Sequence, residues 1–239
     1  MKKYFILFLC LISFPVYSGT NPYIAGSTQS ASTTIGLFYS NFNDATNDAY
    51  FTTALPTGWD DDYATSPAPL EGAESLLTDT TAWDVHIGAY TTQSSGTTYA
   101  RMSFRVKDAP TVDDSYNVFI GLTDTGTDEA YCVILYDIGT NKFFALRAFD
   151  DTTFNGQSFT TPTSLNDATY FLYLTYTRGT SVVCTVTDSG GTPLVGGTST
   201  LSTANASSTN RVNISNGNGG ATVILDQVEV RSDTNWGTP

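Results

Sequence analysis

The chain has 239 residues, with 23 acidic side chains against 10 basic ones and a formal net charge of −13 at neutral pH. Such a charge repels nucleic acid and anionic membrane surfaces and argues against both as partners. With one histidine and three cysteines, zinc sites and histidine-based nucleophilic triads lack their usual residues.

The N-terminus reads MKKYFILFLCLISFPVYSGT. Lys2 and Lys3 precede an apolar run from Tyr4 to Phe14, too short to cross a bilayer of about 30 Å. Val16 and Ser18 are the small residues of a cleavage site, so residues 1–18 are predicted to be a signal peptide. This implies a secreted, extracellular, cell-surface or periplasmic protein. Residues 19–34, rich in Ser, Thr, Ala and Gly, read as a flexible leader. Residues 35–232 are predicted to form one domain, followed by a C-terminal tail at 233–239. No later apolar run is long enough for a membrane span.

From Ile35 onward the chain is a series of short β-rich runs separated by Gly, Asn and Asp turns. The runs are IGLFYSNF, TAWDVHIGAY, TYARMSFRV, YNVFIGL, YCVILYD, FFALRAF, YFLYLTYT, SVVCTVTD, RVNIS and ATVILDQVEV. No stretch has helical periodicity, so the spacing predicts an all-β, antiparallel two-sheet sandwich. Alternation assigns faces. Ala100, Met102, Phe104 and Val106 oppose Tyr99, Arg101, Ser103 and Arg105. Leu146 and Ala148 oppose Ala145, Arg147 and Phe149. Tyr170, Leu172, Leu174 and Tyr176 oppose Phe171, Tyr173 and Thr175. Cys132 and Cys184 lie in separate apolar runs, where a disulfide and two buried thiols are both open readings.

FYSNFND with LPTGW (Phe38 to Asp44, Leu55 to Trp59), LEGAESLLT (Leu70 to Thr78), YARMSFRV and VILDQVEVR (Val223 to Arg231) resemble the opening, second, central and closing strands of the concanavalin A-like, laminin G-like jelly roll. Galactose-binding-like jelly rolls are the alternative fold. The resemblance implies a structural Ca²⁺ held by Asp226 with carbonyls at Gly72 and near Asn43, a donor set that suits a hard cation. Asp226 follows Val223, Ile224 and Leu225, where a charge needs a partner. Asp60, Asp61 and Asp62 form a second acidic candidate, more simply read as a solvated loop.

Glucanases of this fold carry E-x-D-x-x-E, which sets two carboxylates about one glycosidic bond. Here Ala73 stands where the middle acid would be between Glu71 and Glu74. Asp226 and Glu229 have the right spacing without a leading Glu, and simple alternation puts them on opposite faces. His86 shares a face with Asp84 and reads as a polar pair on a strand. The expectation is therefore a protein that is not an enzyme.

Aromatic rings stack on sugars, and guanidinium groups capture carboxylate or sulfate. Tyr99, Arg101, Arg105, Arg147, Phe171 and Tyr173 are the candidate carbohydrate-binding residues, Ser103 and Phe143 falling on the same predicted face. The function expected is a secreted carbohydrate-binding or adhesive module for a glycan or cell-surface polysaccharide, with an anionic polysaccharide as the candidate ligand. A self-assembling structural protein and a polysaccharide lyase or hydrolase are the alternatives.

Overall fold

YFLYLTYT has the strict alternation of a half-buried strand, and in the computed structural model it pairs residue for residue with its two neighbours. The structure describes residues 36–42, 55–64, 70, 74–79, 81–108, 115–124, 128–137, 142–158, 168–217, 221–234 and 236. The signal-peptide and leader readings, Gly72 and Asn43 lie outside them.

The described strands are β1 (Gly36–Ser40), β2 (Trp59–Tyr63), β3 (Ser75–Thr78), β4 (Ala82–Gln93), β5 (Thr97–Asp108), β6 (Ser115–Thr123) and β7 (Asp128–Asp137). They continue with β8 (Lys142–Asp150), β9 (Phe154–Ser158), β10 (Tyr170–Thr177), β11 (Ser181–Asp188), β12 (Pro193–Ser202), β13 (Thr209–Asn216) and β14 (Thr222–Arg231). The first sheet has the order β12-β11-β10-β5-β14-β3-β2, with β1 also on β14, and the second is β4-β13-β6-β7-β8-β9. The pairings among the described strands are antiparallel, and the first and last of these strands lie side by side. The chain crosses repeatedly between sheets, as a jelly-roll sandwich requires.

The expected inward set is buried between the sheets. Ala100, Met102 and Phe104 of β5, Leu172, Leu174 and Tyr176 of β10, and Leu146 and Ala148 of β8 all join one core. Gly88 of β4 has a packing reason to lack a side chain, because a Cβ there would sit 2.0 Å from the Phe38 ring of β1. Cys132 of β7 and Cys184 of β11 are joined by a disulfide, so the open question of their pairing resolves as a bridge between the two sheets. At one side of the sandwich, Ser199 Oγ of β12 donates to the Asn155 carbonyl of β9, and Asn155 Nδ2 donates to the Thr200 carbonyl.

β14 carries the chief irregularity. Asp226 pairs with Ser103 and Glu229 with Arg101, so three steps on β14 match two on β5. Gln227 absorbs the extra residue at φ 49°, a left-handed conformation that costs a side-chain-bearing residue about 1–2 kcal/mol. Before the bulge β3 pairs with Val223 to Leu225, and after it β1 pairs with Val228 to Arg231. Gln227 is buried, and its Oε1 has no hydrogen-bond partner among the described residues. Gln227→Gly is therefore expected to stabilise the protein by about 0.5–1 kcal/mol, and Gln227→Val to destabilise it. Urea unfolding checks both; a loss of stability in the glycine variant would mean that the side chain itself holds the bulge.

Candidate functional site

The register of β5 with β10 brings four of the predicted binding residues together. Tyr173 pairs with Arg101, Phe171 with Ser103 and Thr175 with Tyr99, all on the outward face of the first sheet. Arg101 is nevertheless not open to solvent. Its Nη2 lies 3.0 Å from Glu229 Oε2, with both side chains more than 90 % buried. Its guanidinium lies 5.1 Å from the ring centre of Trp236 and 5.8 Å from that of Phe171. Trp236 packs edge-on against Tyr173 at 5.6 Å and Tyr99 at 6.4 Å. Trp236, in the segment read from sequence as a C-terminal tail, is thus docked on this face. Arg105 donates through Nη2 to Thr169 Oγ1 at 3.0 Å.

Arg147 does not belong to that group. It lies on β8 in the second sheet, facing outward on the opposite side of the sandwich. The single Arg–aromatic face expected from alternation is therefore two faces: alternation tells which side of a strand a residue takes, and says nothing of which sheet the strand joins.

Asp226 is fully buried, as its apolar neighbours imply, and accepts hydrogen bonds from Ser75 Oγ at 2.8 Å and from the Gln227 amide at 2.7 Å. Of the ligand set implied by the resemblance, only Asp226 lies among the described residues. The bulge corrects the expectation that Asp226 and Glu229 point to opposite faces, since both align with outward residues of β5. Glu229 bridges two arginines, Arg231 Nη1 lying 2.8 Å from its Oε1. The Asp triplet expected in a loop falls in β2, where Asp60 pairs with Leu77.

On the second sheet's outward face, aromatic rings form a row across four strands. Phe119 of β6 lies 5.0 Å from Tyr131 of β7, which stacks on Phe149 of β8 at 4.5 Å with planes 10° apart; Phe149 lies 5.2 Å from Phe154 of β9. Phe119 is anchored in a small apolar cluster with Val133, Leu135 and Ala145. Exposure rises along the row, and Phe154 at its end is 56 % exposed. Arg147 lies opposite Gly156 of β9, and its guanidinium lies 5.0 Å from the Phe154 ring centre.

Phe149 and Phe154 bracket the turn between β8 and β9, which closes with the Asp150 amide donating to the Thr153 carbonyl. That turn lines a cleft of about 520 Å³ together with Glu129 and the 202–207 segment after β12. Asp150 Oδ1 accepts from the Thr153 amide at 2.8 Å, the Thr152 amide at 3.1 Å and Thr153 Oγ1 at 3.0 Å, and its Oδ2 accepts from Thr203 Oγ1. Burial works against the charged form of Asp150, but the Thr203 hydroxyl and the Thr152 and Thr153 donors together outweigh it and hold the carboxyl below its ordinary range. Asn205 Nδ2 donates to Glu129 Oε2 at 3.0 Å. Tyr176 Oη donates to the Asn205 carbonyl at 3.0 Å, and burial pushes that phenol up to about 12, so it stays a donor. Arg178 Nε donates to the Ser207 carbonyl at 3.1 Å. The wall at 203–207 is thus tethered at three points, and the cleft presents carboxylate, amide and hydroxyl groups in fixed positions. Alternation could place Arg147 and Phe149 on one face; the cleft, made by a turn and a distant segment, leaves no local pattern.

No protein-family model matches the chain, and no curated protein matches it. Solved structures similar to it include the CBM2 module of the evolved Dit of Lactobacillus casei BL23 phage J-1 (13 % identity, 82 % of this chain and 94 % of that one, TM-score 0.48). Another is a protein of unknown function with a galectin-like fold from Bacillus subtilis (10 %, 82 % and 96 %, 0.48). A third is the carbohydrate binding module CBM66 from Bacillus subtilis (12 %, 74 % and 96 %, 0.43). Likeness at this level carries over no ligand and no site residue.

Proposed function

We propose that the protein is an extracellular glycan-binding module whose working surface is the β8–β9 hairpin of the second sheet. The observation that carries this reading is Phe154, a largely exposed ring held at the end of an aromatic row beside a polar cleft. Exposed rings on a rigid support offer a stacking surface for the C–H face of a pyranose. Carboxylate, amide and hydroxyl groups next to it are the partners that sugar hydroxyls take.

The acidic lining formed by Glu129, Asp150 and Asp151 favours a neutral glycan here over an anionic one. Asp150 fits recognition better than bond cleavage. Proton donation to a leaving group needs a carboxyl with a raised pKa, whereas that of Asp150 is lowered. The disulfide through the core fits an oxidising compartment.

Phe154→Ala is expected to weaken binding of a neutral oligosaccharide about tenfold, the scale of one ring contact. Val195→Ala, which removes the other large exposed apolar side chain among the described residues, is expected to change nothing. Calorimetry on gluco-, galacto-, manno- and xylo-oligosaccharides reads the result. No binding across that panel, or equal binding by the Phe154 variant, overturns the proposal.

A further inference from the structure

The outward face of the first sheet holds a chain of alternating charges running from Arg101 through Glu229 and Arg231 to Asp233. The first three members belong to strands of the sheet. The fourth belongs to the segment after β14, which also delivers Trp236 onto Arg101, Tyr99 and Tyr173. One strap therefore supplies two groups, a carboxylate to Arg231 and a ring to the cup around Arg101. The two seats are close, because the guanidinium groups that form them share the single carboxylate of Glu229.

Arg231 is 2 % exposed, and the strap uses it incompletely. Nε and Nη2 form the side-on fork of a guanidinium, which matches the two oxygens of one carboxylate. Asp233 accepts from Nε at 2.9 Å, and Nη2 has no hydrogen-bond partner among the described residues. The deep side of the seat thus keeps a spare donor. The Asp233 side chain is 44 % exposed, far more than the arginine it pairs with. Charge decides what could replace the strap. Without Asp233, two buried guanidinium groups would share one carboxylate, so the strap gives way only to another anion. The ring seat adds the second requirement, a flat or pyranose face to lie against two tyrosines and a guanidinium.

We propose that this cup is a second binding site, for the acidic ring of a uronic-acid glycan, and that the Asp233–Trp236 strap is its built-in competitor. The incoming carboxylate takes both Nε and Nη2 of Arg231, and the sugar ring takes the place of the indole. The site lies on the opposite sheet from Phe154, so it stands whether or not a neutral glycan binds there.

The probe is a galacturonic-acid tetrasaccharide, with the neutral galactose tetrasaccharide as control, titrated calorimetrically at low salt. The Asp233→Ala/Trp236→Ala variant is expected to bind the acidic oligomer at least tenfold more tightly than the unaltered chain and to leave the neutral one unbound at this site. Adding Tyr173→Ala should remove the gain. If the double variant loses its cooperative thermal transition, Trp236→Ala alone carries the same expectation. A folded opened variant that binds no more tightly overturns the proposal, as does a gain that survives Tyr173→Ala. So does an opened variant that captures a peptide of residues 232–236 and ignores the acidic sugar, which would make the cup a peptide seat.

Discussion

Replacing Glu229 by alanine is expected to cost about 3–5 kcal/mol of stability, the usual consequence of removing one partner from a buried ionic group. Glu229 stands between Arg101 and Arg231, with Nη2 of the first at 3.0 Å and Nη1 of the second at 2.8 Å, and all three side chains are more than 90 % buried. Burial opposes the charge on Arg231, but Glu229 and then Asp233 more than compensate and raise its pKa. Without Glu229, two cations stay close together in a poorly hydrated place, and neither can shed its proton near neutrality. Glu229→Gln keeps hydrogen-bonding oxygen and shape while losing the charge, so its cost should be intermediate. Arg101→Ala leaves Glu229 paired with Arg231 and should cost less than Glu229→Ala. Urea unfolding of the three variants orders them, and an alanine variant within about 1 kcal/mol of the unaltered chain would mean that water reaches the network.

That network also shows where the sequence speaks and where it is silent. Alternation sorted β5 and β10 correctly, because each has one face in the core and a period of two leaves little freedom. It failed on β14, where it sends Asp226 and Glu229 to opposite faces although both align with outward residues of β5. A signal was present even so: Val223, Leu225, Val228 and Val230 enter the core, and the gap of three between Leu225 and Val228 breaks the period by one residue, as a bulge does. Edge strands β9 and β12 were missed. FNGQS and PLVGGTSTLS are rich in glycine and hydroxyl residues and carry little apolar contrast, since much of each faces water. Arg147 was grouped with Arg101 because sheet membership depends on pairings between distant strands, which no local pattern encodes. Trp236 read as tail for the same reason, since its partners are more than 60 residues away in sequence.

The disulfide is the other place where one change should weigh heavily, and the cause lies largely in the unfolded chain. Cys132 and Cys184 close a loop with a sequence separation of 52, for which loop-closure entropy gives about 4 kcal/mol at 25 °C. Few domains hold more than 5–15 kcal/mol in total, so the Cys132→Ala/Cys184→Ala chain should lose a quarter or more of its stability. The bridge sits between β7 of one sheet and β11 of the other, both residues fully buried among core side chains. The double variant therefore also trades two packed sulfur atoms for a cavity between the layers, which adds to the loss. The spatial consequence is as specific as the energetic one. With the bridge cut, the β7–β8–β9 and β10–β11–β12 layers are joined by side-chain packing, by the Asn155 contacts to Ser199 and Thr200 at the edge, and by the bonds of Thr203 to Asp150 and Asn205 to Glu129 just beyond β12. Hydrogen exchange at β9 and β12 should accelerate more than at β5 and β14, whose ladder does not depend on the bridge. Equilibrium unfolding in guanidinium measures the first effect and exchange the second. A loss below about 1 kcal/mol, or uniform acceleration across both sheets, would show that the core alone holds the layers together.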